Sequence, residues 1–100
     1  MQWPVLPRRV QCIGGPITVR RRKGLRTAEG DREAWGLWDA ENRTIWLVPR
    51  LPRELQWRLL YHELFHACLS DSGLENVLPE DGVEALCDAS SSARMVERLG

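Results

Sequence analysis

Two histidines and the glutamate beside the first of them are the residues best suited to chemistry. His62, Glu63 and His66 form the pattern His-Glu-x-x-His, and they include both histidines of the chain. On a helix, residues four apart project from one face about one turn apart, so the two imidazoles can bind one zinc ion. Glu63 lies roughly 100° around such a helix, where it reaches a water near the metal but is poorly placed as a ligand. The pattern predicts a zinc site with Glu63 as general base.

The third ligand of this site must come from elsewhere, because catalytic zinc usually takes three protein ligands. With no third histidine, the candidates are carboxylates and cysteines. We expect Glu84 to bind the metal and Asp88, one turn later, to accept the outward N–H of a zinc histidine. Glu80 and Cys87 are alternative ligands. Residues 81–84 also fit a capping box, in which Glu84 would bond to the helix backbone instead.

The three cysteines, Cys12, Cys68 and Cys87, are odd in number and widely spaced. This argues against a disulfide framework and favours a reducing compartment. Cys68 follows His66 by two residues, so we expect it to point away from the histidines and to fill the core. A site with two histidines and an upstream cysteine resembles that of peptide deformylase, and Cys12 occupies a similar place, but the surrounding motifs of that family are missing.

Composition predicts one small domain over residues 1–100. Hydrophobic residues make up 43% of the chain, with five tryptophans, which allows a compact core. No segment has the charged start and apolar run of a signal peptide, and no apolar stretch approaches the roughly 20 residues that a membrane span needs. We therefore expect a cytoplasmic protein with no membrane partner.

Charge is unevenly distributed although the formal net charge is zero. Residues 1–32 carry eight basic and two acidic side chains, whereas residues 60–100 carry two basic and eight acidic ones. A basic stretch can meet nucleic acid or an acidic partner. Residues 20–23 are equally typical of the solvated end of an exposed strand, where charge discourages edge pairing, and we prefer that interpretation.

The order of predicted elements gives an α+β fold with a small twisted antiparallel sheet of about three strands. A turn at residues 13–16 leads into a strand over about 16–22, and residues 24–32 are predicted as loop. Aromatic and β-branched runs at 34–38 and 44–48 flank a polar segment and predict a hairpin.

Two helices complete the predicted fold, and the sheet packs against them. From Arg53, apolar residues recur at steps of three and four until residues 70–73 end the helix. A second helix is expected from about Pro79 or Asp81 to Arg98. Its buried side is predicted to consist of Val83, Leu86, Cys87, Ala93 and Val96.

Residues 14–19, 36–47, 59–67 and 80–86 together resemble the minimal gluzincins and the short phage and bacterial proteins related to the ImmA/IrrE metallopeptidases. The zinc motif is the specific part of this resemblance. It implies a zincin-like fold, in which a short twisted sheet packs on an active-site helix and a glutamate helix, with Glu84 as the third ligand. Larger gluzincins stabilise the oxyanion with a histidine or tyrosine, whereas this chain has only Tyr61, predicted to face away from the site.

The sequence thus predicts zinc-dependent hydrolysis of a peptide bond in a protein or peptide substrate. An extended substrate is expected to pair with the exposed edge of the hairpin. We expect most of Trp35, Trp38 and Trp46 to pack in the core, the alternative being that they shape pockets near this edge. The alternative is a non-catalytic module that zinc stabilises and that binds a protein or nucleic-acid partner through the basic N-terminal face.

Overall fold

The computed structural model describes residues 3–26 and 33–99, with side chains through residue 97. It has the predicted α+β class. The elements are β1 (Arg9–Cys12), β2 (Gly15–Arg21), β3 (Gly36–Asp39), β4 (Thr44–Leu47), α1 (Arg53–Ser72), a 3₁₀ turn (Leu74–Asn76) and α2 (Glu80–Leu99). Most of the predicted loop over 24–32 lies outside the described residues. None of the described helices is both long and apolar enough to cross a membrane.

The sheet is mixed and has four strands in the order β1-β2-β4-β3. β1 pairs with β2 and β3 pairs with β4 in antiparallel fashion, whereas β2 and β4 are parallel, with Thr18 opposite Thr44. The prediction of about three antiparallel strands is therefore wrong in both number and direction. A two-residue turn at Ile13 and Gly14 joins β2 to the additional strand β1. β4 lies between β2 and β3 and runs parallel to β2 because of the path that the chain takes between β2 and β3. The predicted β3–β4 hairpin is confirmed.

One face of the sheet packs on α1. Ile17, Ile45 and Leu47 are fully buried on this face, and Leu60 of α1 is 1% exposed against them. α2 packs on α1 rather than on the sheet, so the layers run sheet, α1, α2. Because side chains alternate along a strand, the opposite face carries Arg20 and, just after β2, Arg22. There the guanidinium of Arg22 lies 5.9 Å from the ring of Trp46. Arg21, in contrast, reaches α1 and donates to Oε1 of Gln56 at 2.9 Å.

Both ends of α1 form as the sequence predicts. The helix begins at Arg53 after Pro52, and Glu54 in its first turn suits the positive end of the helix dipole. It ends at Gly73, which adopts the left-handed conformation (φ 77°) and donates its N–H to the carbonyl of Ser70. The N-terminal segment then anchors the helix, because the indole N–H of Trp57 donates to the carbonyl of Pro4 at 2.7 Å.

The buried side of α2 differs from the prediction. Val83, Cys87, Ser91 and Met95 are buried at intervals of four residues. Leu86 and Val96, predicted on the buried side, are 41% and 68% exposed, and Ala93 is exposed as well. α2 packs on α1 and not on the sheet, so about one of its residues in each turn is buried. This buried surface is narrower than the one predicted from the apolar residues of the helix.

Candidate metal centre

α1 presents His62 and His66 one turn apart toward α2. Their ring centroids are 5.0 Å apart, and their side chains are 16% and 19% exposed. Burial lowers the pKa of His66, although the neighbouring Glu84 carboxylate opposes the shift. The neutral imidazole is the form that ligates a metal, so burial favours the competent state of this residue.

The carboxylate of Glu84 lies against both imidazoles. Its Oε1 is 2.8 Å from Nε2 of His66, and its Oε2 is 3.4 Å from Nε2 of His62. The side chain therefore points across to α1 and not back along its own helix, which sets aside the capping-box alternative. Glu80 lines the same groove, but among the described residues Glu84 is the glutamate that contacts the histidines.

Asp88 contacts the other nitrogen of His62. Its Oδ1 is 2.9 Å from Nδ1 of the imidazole, which is within reach of a proton carried on that nitrogen. A neutral imidazole carries one N–H and keeps a lone pair on the second nitrogen. With the proton on Nδ1, the lone pair of Nε2 faces Glu84 Oε2 at 3.4 Å, and a cation bound between these two atoms would interact favourably with both. The donor set of two Nε2 atoms and a carboxylate, with one imidazole oriented by Asp88, suits zinc.

Glu63 lies against β3 and also lines the groove that α2 borders. It is 8% exposed, and burial, followed by the nearby charge of Glu84, raises its pKa to about 7, while a hydrogen bond from the backbone of Trp38 acts in the opposite direction. A Cβ atom at Gly36 would lie 3.3 Å from Cγ of Glu63 and 3.2 Å from Leu47. β3 thus packs directly on the carboxylate predicted as general base, and glycine at position 36 leaves room for it.

These side chains open into one groove of about 710 Å³ between the sheet and the two helices. One wall is the segment 33–38, and the other walls are α1 and α2. β3 lies at the edge of the sheet, and no described strand pairs with its outer side. The groove therefore has a free strand edge beside the cluster of histidines and carboxylates.

Arg58 is a groove residue that the sequence analysis missed. It lines the groove and precedes His62 by four residues, so residues 58, 62 and 66 share one face of α1. The same spacing that identifies the histidine pair could have identified this arginine. Among the described lining residues it is the arginine, in a groove that the carboxylates of Glu33, Glu80 and Asp88 also line.

Cys87 is the competing third ligand. A ligand atom from each of His62, His66 and Cys87 lies within 4.8 Å of the other two. Burial, followed by the charges of Glu84, Glu63 and Asp88, raises the pKa of this thiol to about 12, and the thiolate is the form that ligates metals. Glu84 is the better candidate because its oxygens contact both imidazoles directly.

The aromatic residues divide between the groove and the rest of the molecule. Tyr61 packs against Trp57, with centroids 5.6 Å apart, and it lies outside the groove, on the side predicted for it. Trp38 and the 56% exposed Trp35 line the groove, whereas Trp46 lies on the opposite face of the sheet. The described lining therefore includes neither a tyrosine nor a third histidine.

Comparisons with protein-family models, with curated proteins and with solved structures found no match to this chain. Its function must therefore be argued from the chemistry of the site.

Proposed function

We propose that this protein is a zinc-dependent peptidase with a zincin-like fold. His62, His66 and Glu84 are the metal ligands, Asp88 orients His62, and Glu63 is the general base. The observation that carries the proposal is the position of the Glu84 carboxylate against two imidazoles, one of which has the Asp88 carboxylate 2.9 Å from its other nitrogen. A divalent cation satisfies all of these groups together. The resemblance to the short gluzincins supports the same assignment.

Zinc supplies a Lewis acid that activates water and polarises a carbonyl oxygen. The residues of the chain hold and move protons around it. Glu63 accepts a proton from the attacking water and returns it to the amine that leaves when the peptide bond breaks. Asp88 keeps the proton of His62 on Nδ1, so that Nε2 remains a ligand.

The substrate class follows from the free edge of β3. An extended peptide can pair with this strand through main-chain hydrogen bonds, which give affinity with little dependence on sequence. Such a peptide would lie between β3 and α2, across the groove that the histidines line. Trp35 and Trp38 offer apolar surface to its side chains. We therefore propose protein segments or peptides in extended form as substrates.

The first experiment measures zinc content and peptide cleavage. Elemental analysis after removal of loosely bound ions should give one zinc per chain, and Glu84→Gln should lose most of it. With an unstructured peptide library, cleavage by the zinc-loaded protein should fall about 100-fold or more in Glu63→Gln, with zinc retained. Glu80→Gln is the matched control and should keep both properties. Undiminished cleavage by Glu63→Gln would exclude the assigned base.

A second candidate function is a zinc-stabilised binding module. The proximity of Cys87 to both histidines favours it, because two histidines, Glu84 and a cysteine thiolate would form a closed four-ligand site of the structural kind. The uncovered basic face of the sheet would then meet an acidic protein or a nucleic acid. Cobalt substitution separates the two candidates. A thiolate charge-transfer band that disappears in Cys87→Ser would support the module, and its absence would support the open, catalytic site.

A further inference from the structure

Two cysteines that are far apart in the sequence meet where β1 packs on α1. Sγ of Cys12 on β1 lies 3.4 Å from Sγ of Cys68 on α1, and the two residues are 56 positions apart. Both side chains are partly buried. The odd number and wide spacing of the cysteines argue against a disulfide framework. Spacing in the sequence does not predict, however, that the edge strand β1 packs on α1 and brings two of the cysteines into contact.

An ion-pair network holds the two sulfurs in this position. Asp71, one turn after Cys68, accepts the backbone N–H of Gly14 at 2.9 Å and two hydrogen bonds from Arg43 at 2.8 and 3.0 Å. Arg43 also donates to the carbonyl of Gly15 at 3.1 Å. The β1–β2 turn is thus fastened to the end of α1, so the approach of the thiols does not depend on a bond between them.

We propose that Cys12 and Cys68 are a covalent modification site, at which an intramolecular disulfide forms and ties β1 to α1. The sulfurs are in van der Waals contact, and small changes in side-chain torsion bring them to the bonding distance of about 2.05 Å. Nothing in the proposed peptidase chemistry uses these residues, so the inference is independent of the zinc site.

The oxidant is a small-molecule disulfide, and the reaction is two successive exchanges. The first cysteine attacks it as thiolate, forms a mixed disulfide and releases one small thiol. The second cysteine attacks the mixed disulfide, closes the bond within the chain and releases the second small thiol. Two electrons and two protons pass from the protein to the small molecule. Burial, followed by the hydrogen bond with Cys68, raises the pKa of the Cys12 thiol to about 11.

The bond would cross-link β1 to α1, the helix that also carries the proposed metal ligands. Cys68 follows His66 by two residues but faces β1, whereas His66 faces α2. A disulfide between Cys12 and Cys68, which are 56 positions apart, would restrict the conformations of the unfolded chain and so stabilise the folded protein. For a chain of this size, a typical disulfide raises Tm by roughly 10 °C.

Thiol trapping and mass spectrometry test the proposal on the purified full chain. The reduced protein is equilibrated with oxidised glutathione, free thiols are alkylated, and peptides are mapped. We expect one alkyl group per chain, on Cys87, and a disulfide that links the peptides of Cys12 and Cys68. Tm should rise by roughly 10 °C. Cys87→Ser should form the same link, whereas Cys12→Ser should retain a glutathione adduct. Alkylation of Cys12 and Cys68 after oxidation, or a link between chains, would overturn it.

Discussion

Asp88 and His62 face each other across the interface of the two helices, with Oδ1 2.9 Å from Nδ1. This contact favours the tautomer of the imidazole that carries its proton on Nδ1. It leaves Nε2 directed at the carboxylate of Glu84, 3.4 Å away, and His66 completes the group. With the proton of His62 on Nδ1, beside Asp88, the lone pair on Nε2 is available to a zinc ion. Zinc can then bind without first displacing a proton from Nε2.

Removal of the Asp88 carboxylate should weaken zinc binding without abolishing it. In Asp88→Ala, His62 loses the partner that orients its ring, and zinc affinity should fall about 10- to 100-fold. Competition with a chromogenic chelator measures this change. Glu80→Ala removes a carboxylate from the same helix and groove and should retain wild-type affinity. Equal losses in the two variants would show that general electrostatics, not ring orientation, governs binding.

A methyl group at position 36 should disturb the proposed base. In Gly36→Ala the new Cβ would meet Glu63 at 3.3 Å, which forces the carboxylate to move by a few tenths of an ångström. Because a misplacement of 1 Å costs roughly 100-fold in rate, kcat should fall about tenfold, with zinc content unchanged. Gly82→Ala, whose Cβ would face Pro79, is the control. An unchanged kcat in Gly36→Ala would mean that Glu63 is not the base.

Arg58 should contribute to substrate binding. Its side chain is the described cation of an otherwise acidic groove, so it can pair with a carboxylate of the peptide. Arg58→Gln should raise KM about tenfold, which corresponds to 1.4 kcal/mol, for peptides with an acidic residue, and should leave neutral peptides little affected. Steady-state kinetics on matched peptides measure the difference. Arg94→Gln, on α2 and outside the groove, is the control and should leave KM unchanged for both kinds of peptide. If Arg58→Gln instead lowered kcat equally for all peptides, Arg58 would act in the reaction step and not in substrate binding.

Local patterns predicted the elements that position the site, but not the pairing of the strands. α1 and the β3–β4 hairpin follow from periodicity, from Pro52 and Gly73, and from the polar turn between two apolar runs. β1 was missed because its four residues include exposed Arg9 and Gln11 and carry little hydrophobic signal. The parallel pairing of β2 with β4 depends on the path of the chain between them, which no local pattern specifies.

The residues of the candidate site also divide into those that local spacing predicts and those that only tertiary packing brings together. The spacing of four residues placed the histidine pair on one face, and it placed Glu84 and Asp88 on one face of the next helix. The structure brings these two faces together. Spacing could not show that Cys12 meets Cys68 or that Arg43 meets Asp71, because both contacts join the β-sheet region to the far end of α1 and arise from tertiary packing alone.

Acid should weaken the hydrogen bonds through which Asp71 holds the β1–β2 turn against the end of α1. The hydrogen bonds from Arg43, the largest cause, hold the pKa of Asp71 far below its usual range. Since the folded pKa is depressed, its stabilising effect is complete above the unfolded pKa of about 3.9 and is lost as pH falls from there toward the folded pKa. Urea unfolding between pH 7 and pH 2 measures this loss.

Asp71→Asn should remove that part of the pH dependence and lower the free energy of unfolding at pH 7 by about 1–3 kcal/mol, because charged hydrogen bonds from Arg43 are replaced by weaker ones. The Asp71 side chain is 9% exposed and Arg43 29% exposed, so solvent screens the pair only in part. Asp81→Asn, an exposed change on α2, should leave the acid profile as it is. If Asp71→Asn and the wild type lost stability in parallel on acidification, other carboxylates would be responsible.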